Sequence, residues 1–302
     1  MMILSIVVVL ILGIFSKYCI PLSVDSDFKV DLELIKHQPC AYNTEKSKWN
    51  KKIEFQKGTD KSGPKLVQIS NSPPCYSLTG IVKVHETFRN PFSIYLEIRT
   101  STNKKQLPEP CRRRGKDGCG GIGSCLYCNA CEQLSNNVSN GTSDQLGSLV
   151  KAKLLINNKP MNCDNVLEPG TYDNIQLAFC LPTLDEILNS QGLTKEEFKT
   201  YIFSDEDGGK GSGNPSHHSI PLFATVYIFD INVKEHMIAQ MKVEKFYKEK
   251  EEKNSKKCFF CDNSLPSNVY WNLPFNKIIF ENKEHVACHK IYGNVKISKV
   301  NH

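Results

Sequence analysis

The residues with the most concentrated chemical potential lie between Cys111 and Cys131. The run CRRRGKDGCGGIGSCLYCNAC holds five cysteines, and Cys125, Cys128 and Cys131 follow a Cys-x-x-Cys-x-x-Cys spacing. In a reducing compartment, thiolates so spaced can converge on one tetrahedral zinc ion. In an oxidising compartment they pair with one another or with distant partners. Cys258-Phe-Phe-Cys261, with Cys288 and His289 downstream, poses the same choice. A thioredoxin-like dithiol needs its Cys-x-x-Cys at a helix start beside a βαβ unit, and neither run has that setting. The compartment decides the chemistry.

Three features bear on the compartment. Met2 to Phe15 (MILSIVVVLILGIF) is apolar and uncharged, and Ser16, Lys17 and Tyr18 follow. A membrane span takes roughly 20 apolar residues, so this run fits the hydrophobic region of a secretory signal better. We expect a signal peptide over 1–20 and a domain over 24–302. The alternative is an uncleaved anchor, because no Lys or Arg precedes the run and no clean small-x-small site follows it. Of 13 cysteines, loss of Cys19 with the leader leaves 12, an even number. The adjacent sequons Asn137-Val138-Ser139 and Asn140-Gly141-Thr142 make Asn137 and Asn140 glycosylation candidates. Secretion is the expectation, to the extracellular space or a lysosome-like compartment. Disulfides follow from it, with no metal and no other cofactor.

Catalytic patterns are thin. Gly121-Ile122-Gly123-Ser124-Cys125 lacks the second glycine of a nucleophile elbow. There is no His-Glu-x-x-His and no phosphate-cradling glycine loop with its lysine. His217-His218 and Asp205-Glu206-Asp207 fall in the polar stretch SDEDGGKGSGNPSHHS, without an ordered ligand spacing. The formal charge of +6 is dispersed, and its densest run, Lys242 to Lys257, interleaves Glu with Lys. That run reads as a solvated strand end and linker. Nucleic-acid binding needs a clustered basic stripe with aromatics, which is absent here. No enzyme is expected.

Period-two alternation is the strongest structural signal. Phe92, Ile94, Leu96 and Ile98 alternate with Ser93, Tyr95, Glu97 and Arg99, and Ile175, Leu177 and Phe179 alternate with Gln176 and Ala178. Leu222, Ala224, Val226 and Ile228 form one strand face, and Ala287, His289, Ile291, Gly293, Val295 and Ile297 another. Ala239, Met241 and Val243 give a further short alternation. Residues 65–70, 80–88 and 150–157 also read as strands. Helix signals are confined to two capping-box spacings, Thr183 to Glu186 and Thr194 to Glu197. The expected fold is all-β: two antiparallel sheets in an immunoglobulin-like sandwich or cup, disulfide-rich, with a short helical insertion. Insertions are expected near 183–219 and 248–275.

The order of these pieces resembles the ML lipid-recognition family, in particular the ganglioside-activator type of sphingolipid activator. The matching run is Pro91 to Arg99 (PFSIYLEIR), a Pro-x-Cys at Cys111, Ile122-Gly123-Ser124-Cys125, and Cys163 leading to Glu168-Pro169-Gly170-Thr171-Tyr172. It closes with Ala287-Cys288-His289-Lys290-Ile291. The chain departs from that pattern in its length and in Cys119, Cys258 and Cys261. It also offers two candidate final hairpins, Pro221 to Tyr247 or Asn276 to Ser298.

The resemblance implies a non-catalytic lipid binder with an apolar cavity between its sheets. Ile94, Leu96, Ile98, Ile175, Leu177, Phe179, Val226 and Ile228 would line that cavity. Trp271, Leu273 and Phe275 in VYWNLPF would form a membrane rim, since amphipathic aromatics suit an interface. Cys288 would pair with Cys40, and Cys111, Cys119, Cys125, Cys128, Cys131, Cys163 and Cys180 complete the expected disulfide set. The partners would be a lipid with acyl chains (glycolipid or phospholipid) and, transiently, a membrane surface, with oligomeric state open. The alternative is a cysteine-rich extracellular interaction protein with a filled core.

Overall fold

The computed structural model describes residues 20–24, 28–41, 50–59, 61–64, 66–71, 74–101, 107–111, 114–121, 123–135, 151–180, 188, 194–197, 217–254 and 265–299. Both sequons, the leader up to residue 19, Asp205 to Asp207, Cys258 and Cys261 lie outside them.

Two antiparallel sheets form the frame. The first runs in the order β1 (Ile20–Val24), β2 (Phe28–Pro39), β13 (Ala287–Lys299), β12 (His217–Phe229), β7 (Ser93–Arg99) and β8 (Leu126–Tyr127), with β4 (Gly58–Thr59) on β2. The second runs β10 (Lys159–Pro160), β9 (Lys151–Ile156), β11 (Gly170–Cys180), β6 (Pro74–Val84) and β3 (Ile53–Phe55), with β5 (Leu66–Asn71) on β6. His217 and His218, expected in a polar loop, belong to β12.

Alternation explains how the sheets face each other. Ile94, Leu96 and Ile98 stand opposite Ile228, Val226 and Ala224, which in turn stand opposite Ala287, His289 and Ile291. In the second sheet Ile175 and Leu177 face Ile156 and Leu154. Side chains two apart share a face, and the two inner faces meet: Ile94, Ile228 and Ala287 pack with Ile53, Val82, Val84 and Ile175. One end of this layer is stoppered by Phe88 and Phe92, whose ring centroids lie 5.1 Å apart, by Leu167, and by the Cys131–Cys163 bridge.

The outer face of the first sheet carries a second core. After β8 comes a short helix, α1 (Ala130–Ser135), and between β12 and β13 the chain makes α2 (Lys234–Asn254), α3 (Ser267–Trp271), α4 (Pro274–Lys277) and a π-helical turn, Ile278–Asn282. Val233, Met237, Phe275, Ile278 and Ile279 pack there against Tyr95, Tyr227, Phe229 and Cys288. This corrects the strand expected through Ala239, Met241 and Val243, and the linker expected after it. Three alternating residues are too few to outweigh a segment of Ala, Met, Gln, Glu and Lys, all strong helix formers. Asn232 Oδ1 accepts the Lys234 backbone N–H at 3.1 Å and caps the start. The helix is then pinned by Arg114, which pairs with Glu244 at 2.7 Å, and by Lys234 with Asp117 at 3.2 Å.

Neither expected hairpin forms as such. β12 comes from one and β13 from the other, and they pair over Ile228↔Ala287 through His217↔Ser298 with the helices looped out. The Cys40–Cys288 bridge implied by the resemblance is present. Of the two capping boxes, that at Thr194 is formed: Glu197 Oε2 accepts from the Thr194 amide at 2.8 Å, and Thr194 Oγ1 accepts from the Glu197 amide at 3.2 Å. The box at Thr183 lies outside the described residues, although Leu188 just beyond it is helical and buried. Among the described residues no helix is long and apolar enough to cross a membrane.

Two outcomes test this packing. Replacing both Cys40 and Cys288 by Ala opens a loop of 248 residues, and in the chain-entropy model the unfolding free energy drops by on the order of 5 kcal/mol. Replacing Phe275 by Ala removes the centre of the helix–sheet core and costs about 3–5 kcal/mol in urea unfolding. An unchanged midpoint for Phe275→Ala would mean that the helical layer does not dock as described.

Candidate functional site

The space between the sheets is the strongest candidate site. Its walls are the inward residues of the central strands, and they divide into two groups. Ile98 is 0 % exposed and Leu96 2 %. Ile175 and Ile228 are also buried. Ile94, Leu154, Ile156 and Phe55 are partly buried and pack against this core, and Val226 and Leu177 are likewise only partly buried. The Phe179 side chain lies outside the described residues. Seven of the eight expected lining positions are thus assigned an environment, and three of them (Ile94, Leu177, Val226) keep accessible apolar surface. Inward apolar residues on central strands are sealed when two sheets close fully. Here the burial of the inward positions is uneven.

A polar element interrupts this apolar lining. His37 Nδ1 and His289 Nε2 are 2.8 Å apart, with both rings buried. Burial lowers the His37 pKa to about 4. Burial, and then its His37 neighbour, lowers that of His289 to about 3. His285, on the other side of the sheet, is lowered to about 4 by burial and then by Lys283. It lies edge-on to Tyr227 and Phe229.

A buried ion pair sits on the outer face, under the helical layer. Arg99 Nε donates to Glu97 Oε1 at 2.8 Å, and Trp271 lies over the Arg99 guanidinium at 5.8 Å. Burial pushes the nearby Tyr95 and Tyr270 hydroxyls well above the ordinary tyrosine range, and Tyr127 up to about 12.

The expected membrane rim is not a rim. Leu273 is 1 % exposed and Phe275 0 %, with the Phe275 ring 5.0 Å from Tyr95 and 5.8 Å from Phe229. Pro274 opens a short helix, which turns this aromatic segment back onto the sheet. Trp271 alone stays half-exposed, edge-on to Phe280 at 5.0 Å.

The cysteine run resolves into crosslinks. Cys111 bonds Cys125, Cys119 bonds Cys128, and Cys131 bonds Cys163. The three spaced cysteines therefore take three different partners. Among the described residues no group of three or more His, Cys, Asp or Glu could hold a metal ion. Cys75, absent from the expected set, is disulfide-bonded and stands directly opposite Cys180 in the β6–β11 ladder. Its signal was available: nine expected bridge cysteines is an odd number. Ser124, next to Gly123, is structural. Its Oγ accepts the Ile98 backbone N–H at 3.0 Å. Gly123 has φ 113°, and a Cβ there would meet the Pro110 carbonyl at 2.1 Å, so only glycine fits.

His37, His289 and Glu97 were missed because alternation assigns a face but not a depth. His289 was read as a strand position and as a residue downstream of the Cys258–Cys261 run, not as half of a buried pair, and Glu97 as a wet-face residue before the helical layer was known.

If the lining divides as described, Ile98→Ala lowers the unfolding free energy by about 2–5 kcal/mol. Val226→Ala, which removes two methyl groups from a half-exposed site, costs under about 1 kcal/mol. Equal losses would indicate a uniformly filled core. The sequence matches no protein-family model and no curated protein, so a functional reading rests on this geometry.

Proposed function

We propose that the protein is a secreted lipid-binding or lipid-transfer protein that holds acyl chains between its two sheets without altering them. The observation that carries this reading is the incomplete burial of the inward apolar residues Ile94, Val226, Leu154, Ile156 and Leu177. An acyl chain covers such surface at about 0.8 kcal/mol per buried methylene, so two tails bind tightly with no catalytic group. The resemblance to the lipid-recognition family supports the same reading. The Cys40–Cys288, Cys111–Cys125, Cys119–Cys128 and Cys131–Cys163 bridges, with the disulfide-bonded Cys75, fit an oxidising compartment.

A specific observation favours a second reading. Leu96, Ile98, Leu222 and Ala224 are tightly buried on the same inner face, as in a cysteine-rich extracellular interaction protein with a filled core.

A vesicle assay separates the two. Donor vesicles carrying fluorescent phospholipid and glycolipid are mixed with unlabelled acceptors and the purified protein. Transfer proportional to protein, with the lipids recovered intact, is expected. No transfer of any lipid favours the interaction protein, and hydrolysed lipid would contradict a non-catalytic role.

A further inference from the structure

We propose that the buried His37–His289 pair is an acid-operated latch, which ties β2 to β13 within the first sheet beneath the corner where residues 53–59 cross between the sheets, and which loosens that corner on protonation. The corner is residues 53–59. The chain leaves the second sheet there, where Ile53 on β3 stands opposite Val84 on β6. It joins the first sheet where Gly58 on β4 stands opposite His37 on β2. The backbone amides of Lys52 and Ile53 both donate to the Val286 carbonyl, at 2.8 and 3.2 Å, just before His289. The imidazole pair lies inside this turn. Phe55 is edge-on to His289 at 5.9 Å. Gly58 lies so close to His37 that a Cβ there would sit 2.3 Å from Nε2.

Proton chemistry follows from this contact. In the neutral pair one ring nitrogen donates and the other accepts. The first added proton brings a charge into a site where His37 is 3 % and His289 5 % exposed, and burial disfavours it. The second makes both facing nitrogens donors, which destroys the bond and sets two like charges against each other.

Among the described residues, few neighbouring charges offset this. On β3, Glu54 acts on His289, but it is already engaged by Lys51 and by His85 at 3.4 Å. Lys52 is paired with Asp230 at 2.8 Å. On β2 and β13, Lys36 and Lys290 alternate to the opposite face, Lys36 lying over the Tyr292 ring. β4 supplies only Gly58 and Thr59, and Val226, opposite His289 on β12, is uncharged.

The sign is fixed by linkage. Both histidines titrate lower when folded than the unfolded value of 6.5. Their stabilisation is therefore complete above pH 6.5 and is lost as pH falls towards 4. The latch stands on this geometry alone. That acid opening would release a lipid rests on the function proposed above.

Hydrogen exchange on the full chain without added lipid, at pH 7.5 and 5.0 and corrected for intrinsic rates, tests the latch. Opening of peptides covering 53–59 is expected to rise by roughly 30-fold per titrating histidine at pH 5.0. In His289→Gln this acid response shrinks, and in His285→Phe it persists. If His289→Gln does not fold, His37→Gln serves in its place. A corner equally protected at both pH values, or a pair variant with the full acid response, would overturn the latch. Lipid retention at the two pH values is followed in parallel. An acid response in a protein that binds no lipid at either pH would leave the latch standing and remove the lipid reading.

Discussion

The long antiparallel ladder between β12 and β13 is the constraint on which the rest of the structure depends. It joins residues 217–228 to 287–298 in unbroken register, although the helical segments intervene in the chain. Its inner face supplies Val226, Ile228, Ala287, His289 and Ile291 to the interior, and its outer face supplies Tyr227, Phe229 and Cys288 to the helical layer. A slip of one residue would exchange these faces. The slip would turn an aromatic, helix-covered surface towards the second sheet and expose the apolar lining. Both cores, the Cys40–Cys288 closure and the histidine contact thus presuppose this one register.

The helical layer changes what the first sheet can do. A two-layer sandwich exposes the outer face of each sheet, and there Glu97 and Arg99 would be ordinary solvated charges. Under α2 to α4 they become a buried pair, and one that is held by mutual hydrogen bonding rather than by water. The same layer captures Leu273 and Phe275. The membrane contact that the lipid-transfer proposal calls for would therefore use other surfaces, Trp271 being the one expected rim residue that keeps partial exposure.

Much of the frame was legible in the sequence, because period-two alternation in 92–99, 175–179, 222–228 and 287–297 has few other interpretations. The Cys40–Cys288 pairing was legible only through a family resemblance, since spacing alone allows many connectivities. The helix at Lys234–Asn254 was not read, because its short alternation at Ala239–Met241–Val243 mimics a strand and its buried residues, Met237 and Gln240, were not weighed at helical spacing. The interior histidines were missed for a related reason: pattern says which way a side chain points, whereas depth depends on what the distant segment 53–59 places over it. Whether inward apolar residues fill a core or line a cavity depends on the separation of the sheets, and no local pattern encodes that.

The central claim is that the interior accommodates acyl chains, and native mass spectrometry of protein purified from a eukaryotic secretory host tests it most directly. The account predicts co-purified lipid at near one per protein, released and identified by organic extraction. A single apo mass, unchanged after incubation with mixed lipid vesicles, would contradict it and leave the filled-core interaction protein as the better description.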